Sequence, residues 1–179
     1  PDCGQPYLVR YRMPAPGRDV VRARWDMWRY ADVLPLARNE SPVSLGEGGT
    51  PLLACQALAG ALGLRVLWVK DEALNPTGSF KARGMSAAVT RARALGAPGL
   101  VVPTAGNAGA ALAAYGAAAA IPVRVYAPDS TPRGLLETIR AFGARLELVP
   151  GHIGDAGRAA RAFAPQHGSR DVSTLRVPS

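Results

Sequence analysis

The chain has 179 residues, 48% hydrophobic and 19% charged, which suits one ordinary folded domain or part of a larger one and excludes a disordered polymer. No stretch reaches the ~18 uninterrupted apolar residues of a membrane span, so no membrane partner is expected. The net charge of +8 raises nucleic acid as a partner, but the basic residues are scattered and the 6% of aromatics do not interleave with arginines, so no nucleic-acid binding is expected.

Residues 1–45 read as a lead-in. Its opening, Pro1-Asp2-Cys3-Gly4, is either the second half of a Cys-x-x-Cys-Gly knuckle or an incidental cysteine. A complete zinc site needs four ligands, so no metal is expected. Cys3 and Cys55 build no disulfide framework and no secretory leader opens the chain, so the expected setting is cytoplasmic. The Pro-, Arg- and Trp-rich stretch 13–45 predicts one short helix near 23–31.

From residue 46 the texture changes, and 46–179 reads as one region. An apolar run predicts a buried strand over 66–69. A helix over 80–95 follows, ended by Gly96 and Pro98. A strand over 100–103 leads into a helix over 107–119, whose alanine-rich sequence suits a packed position. A third strand covers 123–126. Thr131-Pro132, a cap residue before Pro at the first helical position, opens a helix to Phe142. A strand over 146–149 and a helix over 153–164 complete the alternation, the signature of an α/β parallel sheet.

Three glycine-bearing loops fall where such a sheet places its ligand: Glu47-Gly48-Gly49-Thr50-Pro51, residues 75–84, and Thr104-Ala105-Gly106-Asn107-Ala108-Gly109. None fits the P-loop or the dinucleotide-binding pattern. Only two lysines, Lys70 and Lys81, stand against nineteen arginines. Arg cannot lose its proton or form an imine, whereas Lys can do both. Lys81 falls in the first turn of a predicted helix, where the positive helix end disfavours a protonated amine and favours imine chemistry. A solvated first-turn lysine is the other reading. The third loop joins a strand to a helix, so its N–H groups and Thr104 suit an anion. An ordinary turn with Asn107 as the helix cap fits equally.

The string Val69-Lys70-Asp71-Glu72, then Asn75-Pro76-Thr77-Gly78-Ser79-Phe80-Lys81-x-Arg83-Gly84, resembles the threonine synthases of the fold-type II pyridoxal 5′-phosphate (PLP) family. The resemblance extends to Glu47-Gly48-Gly49-Thr50-Pro51-Leu52, Thr104-Ala105-Gly106-Asn107 and Asp171-Val172-Ser173-Thr174-Leu175, in order and spacing. Cys3-Gly4 is similar to the knuckle leader of some members. The resemblance implies a three-layer, tryptophan synthase β-like fold, incomplete at the C-terminus, with 46–179 a partial catalytic domain. It implies PLP as cofactor, imine-linked to Lys81, which also moves the substrate α-proton. Asn107 would bond the cofactor's ring hydroxyl, with Phe80 beside the ring. Thr104, Ala105, Gly106, Asn107 and Ala108 would hold the α-carboxylate of an amino-acid substrate, with Thr50 lining the cleft.

The implied reaction is O-phospho-L-homoserine plus water to L-threonine plus phosphate, in a homo-oligomeric parent enzyme. Ala82 and Ala105 depart from the Asp and Thr of many members. A β-eliminating ammonia-lyase acting on threonine, serine or diaminopropionate is therefore the runner-up, and a non-catalytic PLP- or amino-acid-binding module a third reading. The family's phosphate-binding glycine loop does not appear before Ser179, so the expected object is a fragment inactive as it stands.

Overall fold

The computed structural model describes residues 24–34, 36 and 39–173; Cys3, Gly4, Thr174 and Leu175 lie outside that set. Strands β1 (Leu52–Ala54) and β2 (Trp68–Lys70) pair antiparallel around helix α1 (Gln56–Ala61). Then come α2 (Lys81–Ala94), β3 (Leu100–Pro103), α3 (Asn107–Ala118) and β4 (Val123–Pro128). The chain continues through α4 (Arg133–Ala141), β5 (Arg145–Val149), α5 (Ile153–Gln166) and β6 (Arg170–Asp171).

The last four strands form one parallel sheet in the order β5-β4-β3-β6. Parallel crossovers are right-handed, so the direction of travel decides which face a helix covers. The chain steps from β3 to β4 to β5 in one direction, then returns past both to β6. Hence α3 and α4 share one face and α5 takes the other. Side chains of β3 alternate accordingly. Leu100 and Val102 join Val89, Leu112, Tyr115 and Ile139 in the main core, while Val101 points to Ala160 and Ala164 of α5. The expected three-layer α/β fold is what the chain adopts.

Helix α3 lies close on the sheet because its facing residues are small. All positions from Gly109 to Gly116 are buried. A methyl at Gly109 would meet Ile139 Cδ1 at 3.0 Å and Val125 Cγ1 at 3.1 Å, and one at Gly116 would run into Val123 Cγ2.

Four expectations need correction. The strand expected over 66–69 is β2, two residues later, and it is exposed rather than buried. Leu52, Leu53, Trp68 and Val69 are all exposed, since among the described residues no layer covers the two-stranded sheet. The helix expected near 23–31 is a 3₁₀ segment, Met27–Val33, capped by Asp26 Oδ1 accepting from Trp28 N at 2.9 Å. Helix α4 starts after Pro132, which is itself the cap. Thr131 Oγ1 is buried with no hydrogen-bond partner among the described residues. Asn107 is the first residue of α3 and not its cap, a place held by extended Gly106. Among the described residues no helix is long and apolar enough to cross a membrane.

Gly116→Ala tests the packing of α3. Alanine is the better helix former by about 1 kcal/mol, yet the clash with the stiff, buried Val123 costs about 1–3 kcal/mol. Urea unfolding should show net destabilisation; a stabilised variant would contradict the close helix–sheet contact.

Candidate active site

Strand order reverses at β3, with β4 on one side and β6 on the other. In open parallel sheets, ligands bind at the carboxyl ends of strands at such a reversal. The loop Thr104–Ala105–Gly106 sits there and feeds α3. Thr104 is buried, and its hydroxyl closes the loop on itself, accepting from Gly106 N at 3.0 Å and donating to Gly106 O at 3.2 Å. Ala105 and Asn107 are exposed, and Gly106 and Ala108 are half-buried. The first-turn amides of a helix have no intrahelical acceptor and carry the positive end of its dipole. An anion is the ligand such a loop suits best.

The lysine loop is built by strain. Asn75 is extended, as a residue before proline must be. Thr77 then takes φ 62°, and Gly78 φ 71°, so two successive left-handed residues turn the chain before α2 begins at Lys81. Glycine accepts that conformation freely, but a β-branched threonine is strained by about 1–3 kcal/mol. The Pro76–Gly78 turn packs against α3, bringing the lysine loop beside the helix that carries the anion loop. Thr77 Oγ1 and Ser79 Oγ are buried without a hydrogen-bond partner among the described residues. Lys81 Nζ stands 4.8 Å from the Phe80 ring centroid, and the ring itself is exposed.

A polar cluster fixes this loop from behind. Arg83 grips Glu72 in a fork, Nε to Oε2 at 2.6 Å and Nη2 to Oε1 at 2.8 Å. Thr50 Oγ1 donates to Glu72 Oε1 at 2.7 Å, and Asn75 Nδ2 donates to Glu72 Oε2 at 2.8 Å. Gly48 N donates to Asn75 Oδ1 at 3.0 Å, joining the first glycine loop to the second. Lys70 Nζ donates to the Thr50 carbonyl. The two lysines thus differ in kind: Lys70 braces the backbone, while Lys81 heads a helix at the open site.

Glu72, Asn75 and Arg83 lie within the string that carries the resemblance, and nothing in their spacing assigns them a role. The available signal was an acidic residue and an arginine flanking the lysine. Thr50, expected to line the cleft, has its hydroxyl committed to Glu72. The glycines at 48 and 49 admit the lead-in, because a Cβ at either position would strike the Asp26–Met27 backbone or Trp25.

An amine at the head of α2, a strand-to-helix loop at the sheet reversal and the packing of the Pro76–Gly78 turn on α3 together make up the candidate α/β enzyme site. The chain belongs to the pyridoxal-phosphate dependent enzyme family, which it matches over residues 43–176. Threonine synthase of Methanosarcina acetivorans is 43% identical over 141 residues, 78% of this chain and 34% of that protein. Threonine synthase of Methanocaldococcus jannaschii is 43% identical over 131 residues, 73% of this chain and 32% of that protein. This chain therefore spans about a third of the length of the curated relatives it matches. The solved structure of O-ureido-L-serine synthase superposes with a TM-score of 0.61 at 32% identity, over 69% of this chain and 40% of that one.

The residues present fit PLP: a lysine amine able to form an imine, an aromatic ring beside it and buried hydroxyls at Thr77 and Ser79 with no partner among the described residues. The fork with Arg83 holds the Glu72 carboxyl at about 2, against its ordinary 4.5, with bonds from Thr50 and Asn75 adding to the effect. Arg83 shifts the opposite way, raised first by its hydrogen bond to Glu72.

A carboxylate with a depressed folded-state pKa stabilises the fold fully above its unfolded value and loses that contribution as pH falls through the folded one. The Glu72 contribution, about 1–2 kcal/mol after allowance for solvent screening of a partly exposed pair, should therefore disappear between pH 4.5 and about 2. Urea midpoints measured across that window should fall more steeply for the wild type than for Glu72→Gln; parallel slopes would refute the assignment.

Proposed function

We propose that this chain is the lysine-bearing part of a threonine synthase, which converts O-phospho-L-homoserine and water to L-threonine and phosphate. The observation that carries the reading is Lys81 at the head of α2, its loop braced by the Glu72–Arg83–Thr50–Asn75 cluster and the turn before it packed against α3. Identity of 43% to two threonine synthases supports this reaction over others of the family.

When bound, PLP supplies the electron sink that makes loss of a substrate proton feasible. This chain's residues do the rest. Lys81 holds the cofactor through its amine and moves the substrate α-proton. Phe80 would lie beside the cofactor ring and Asn107 would bond its ring hydroxyl. The backbone from Thr104 to Ala108, at the positive end of α3, orients the α-carboxylate. Ala105 brings no hydroxyl and Thr104 keeps its own inside the loop, so substrate grip rests on backbone amides. Glu72 and Arg83 position Lys81 by locking its loop, and Thr50 belongs to that lock. The complete enzyme is expected to be a homo-oligomer working in the cytoplasm.

The test is phosphate release from O-phospho-L-homoserine by the complete polypeptide that carries this chain. Wild type should turn over and show the visible absorbance of lysine-linked PLP; Lys81→Ala should lose both. Retention of that absorbance by Lys81→Ala would refute the site. Ammonia release from threonine, serine or diaminopropionate without phosphohomoserine turnover would favour the ammonia-lyase reading instead. Residues 1–179 alone should neither retain PLP through dialysis nor turn over substrate.

A further inference from the structure

We infer that Glu47, outside the cofactor and substrate contacts, is the positioning residue that sets the helix of Lys81 against the helix of Asn107; this rests on the functional reading above. Glu47 is 0% exposed. Its Oε1 accepts from Trp28 Nε1 at 2.8 Å and stands 2.6 Å from Ser86 Oγ, whose single proton it shares with the Val43 carbonyl, also at 2.6 Å. Its Oε2 accepts from Leu45 N at 2.9 Å, Ser44 Oγ at 3.2 Å and Tyr115 OH at 2.5 Å.

The origins of these donors give the network its meaning. Ser86 lies on α2, the helix that Lys81 begins, and Tyr115 on α3, the helix that Asn107 begins. Burial, then the bond to Glu47, raises the Tyr115 phenol well above its ordinary range, so it remains a proton donor. One carboxylate therefore joins both helices. The same residue controls the first glycine loop: Glu47 O accepts from Met27 N at 2.7 Å, and the adjacent Gly48 N donates to Asn75 Oδ1 at 3.0 Å. Displacement of Glu47 would shift Lys81 relative to Asn107 and loosen the turn before it. Reactions that depend on near-attack geometry lose rate steeply with such shifts.

A residue of merely structural importance would lower the melting temperature and leave the folded enzyme's chemistry alone. A positioning residue also changes how the bound cofactor sits and what kcat is at saturation. The experiment uses the complete polypeptide saturated with PLP and carrying Glu47→Ala, Glu47→Gln or Tyr115→Phe. Visible circular dichroism of the bound cofactor, kcat, KM and Tm are measured for each.

Glu47→Ala should lower kcat at least about tenfold with KM within about threefold, and should change the visible dichroism. Glu47→Gln should recover part of the loss. Unchanged dichroism with kcat within about twofold of wild type, even at a lowered Tm, would overturn the inference. If Glu47→Ala does not fold, Tyr115→Phe decides, because it removes only the tie to α3. A dichroism change with about a threefold loss of kcat supports the inference, and a wild-type result overturns it. Wild-type absorbance and Lys81→Ala test the lysine reading independently, so the two failures are distinguishable.

Discussion

The burial of the Glu47 carboxylate is the interaction around which the N-terminal half of this structure is arranged. A buried carboxylate is costly unless hydrogen bonds replace the water it has lost. Here the replacements come from the Trp28 lead-in, the 44–45 backbone turn, α2 and α3. Those elements meet at one point, and the Tyr115 hydroxyl has no other acceptor there among the described residues. Gly48 and Gly49 answer to the same arrangement, since a Cβ would strike the Asp26–Met27 backbone at the first and the Trp25 indole at the second.

The site combines a braced rear with an open front. Glu72, Arg83, Thr50, Asn75 and Lys70 satisfy one another and hold the lysine loop in a strained turn. Lys81 stands at the head of α2 beyond this brace, and the first-turn amides of α3 have no intrahelical acceptor. Rigid support behind a group with reactive capacity is the arrangement preorganised catalysis calls for.

Much of this was legible in the sequence because it is local. The 100–166 alternation of strand and helix follows from apolar runs interrupted by glycine and proline, and the ends of α2, α3 and α5 fall close to expectation. Lys81 stood out because it is one of two lysines in an arginine-rich chain. What could not be read depends on long-range partners. Strand β1 and the two-residue β6 exist only through pairing, with Lys70 and Leu100 respectively. The apolar run before β2 signals burial, yet among the described residues no layer covers it. Glu47 looked like part of a glycine loop because nothing local reveals that Trp28, Ser86 and Tyr115 converge on it. The hydroxyl of Thr104 looked available for a ligand, since a turn that closes on itself is invisible in sequence.

The sheet order also has a consequence for how the chain matures during synthesis. Strand β3 pairs with β4 almost at once, but its other edge waits for Arg170 and Asp171, which leave the ribosome only after β5 and α5. Until then the strand beneath the anion loop presents an open row of amides and carbonyls, the kind of edge to which another chain can add. Closing a non-local parallel pair is slow because a long intervening loop must be ordered first. The strand that closes the second edge of β3 is therefore among the last parts of this region to form.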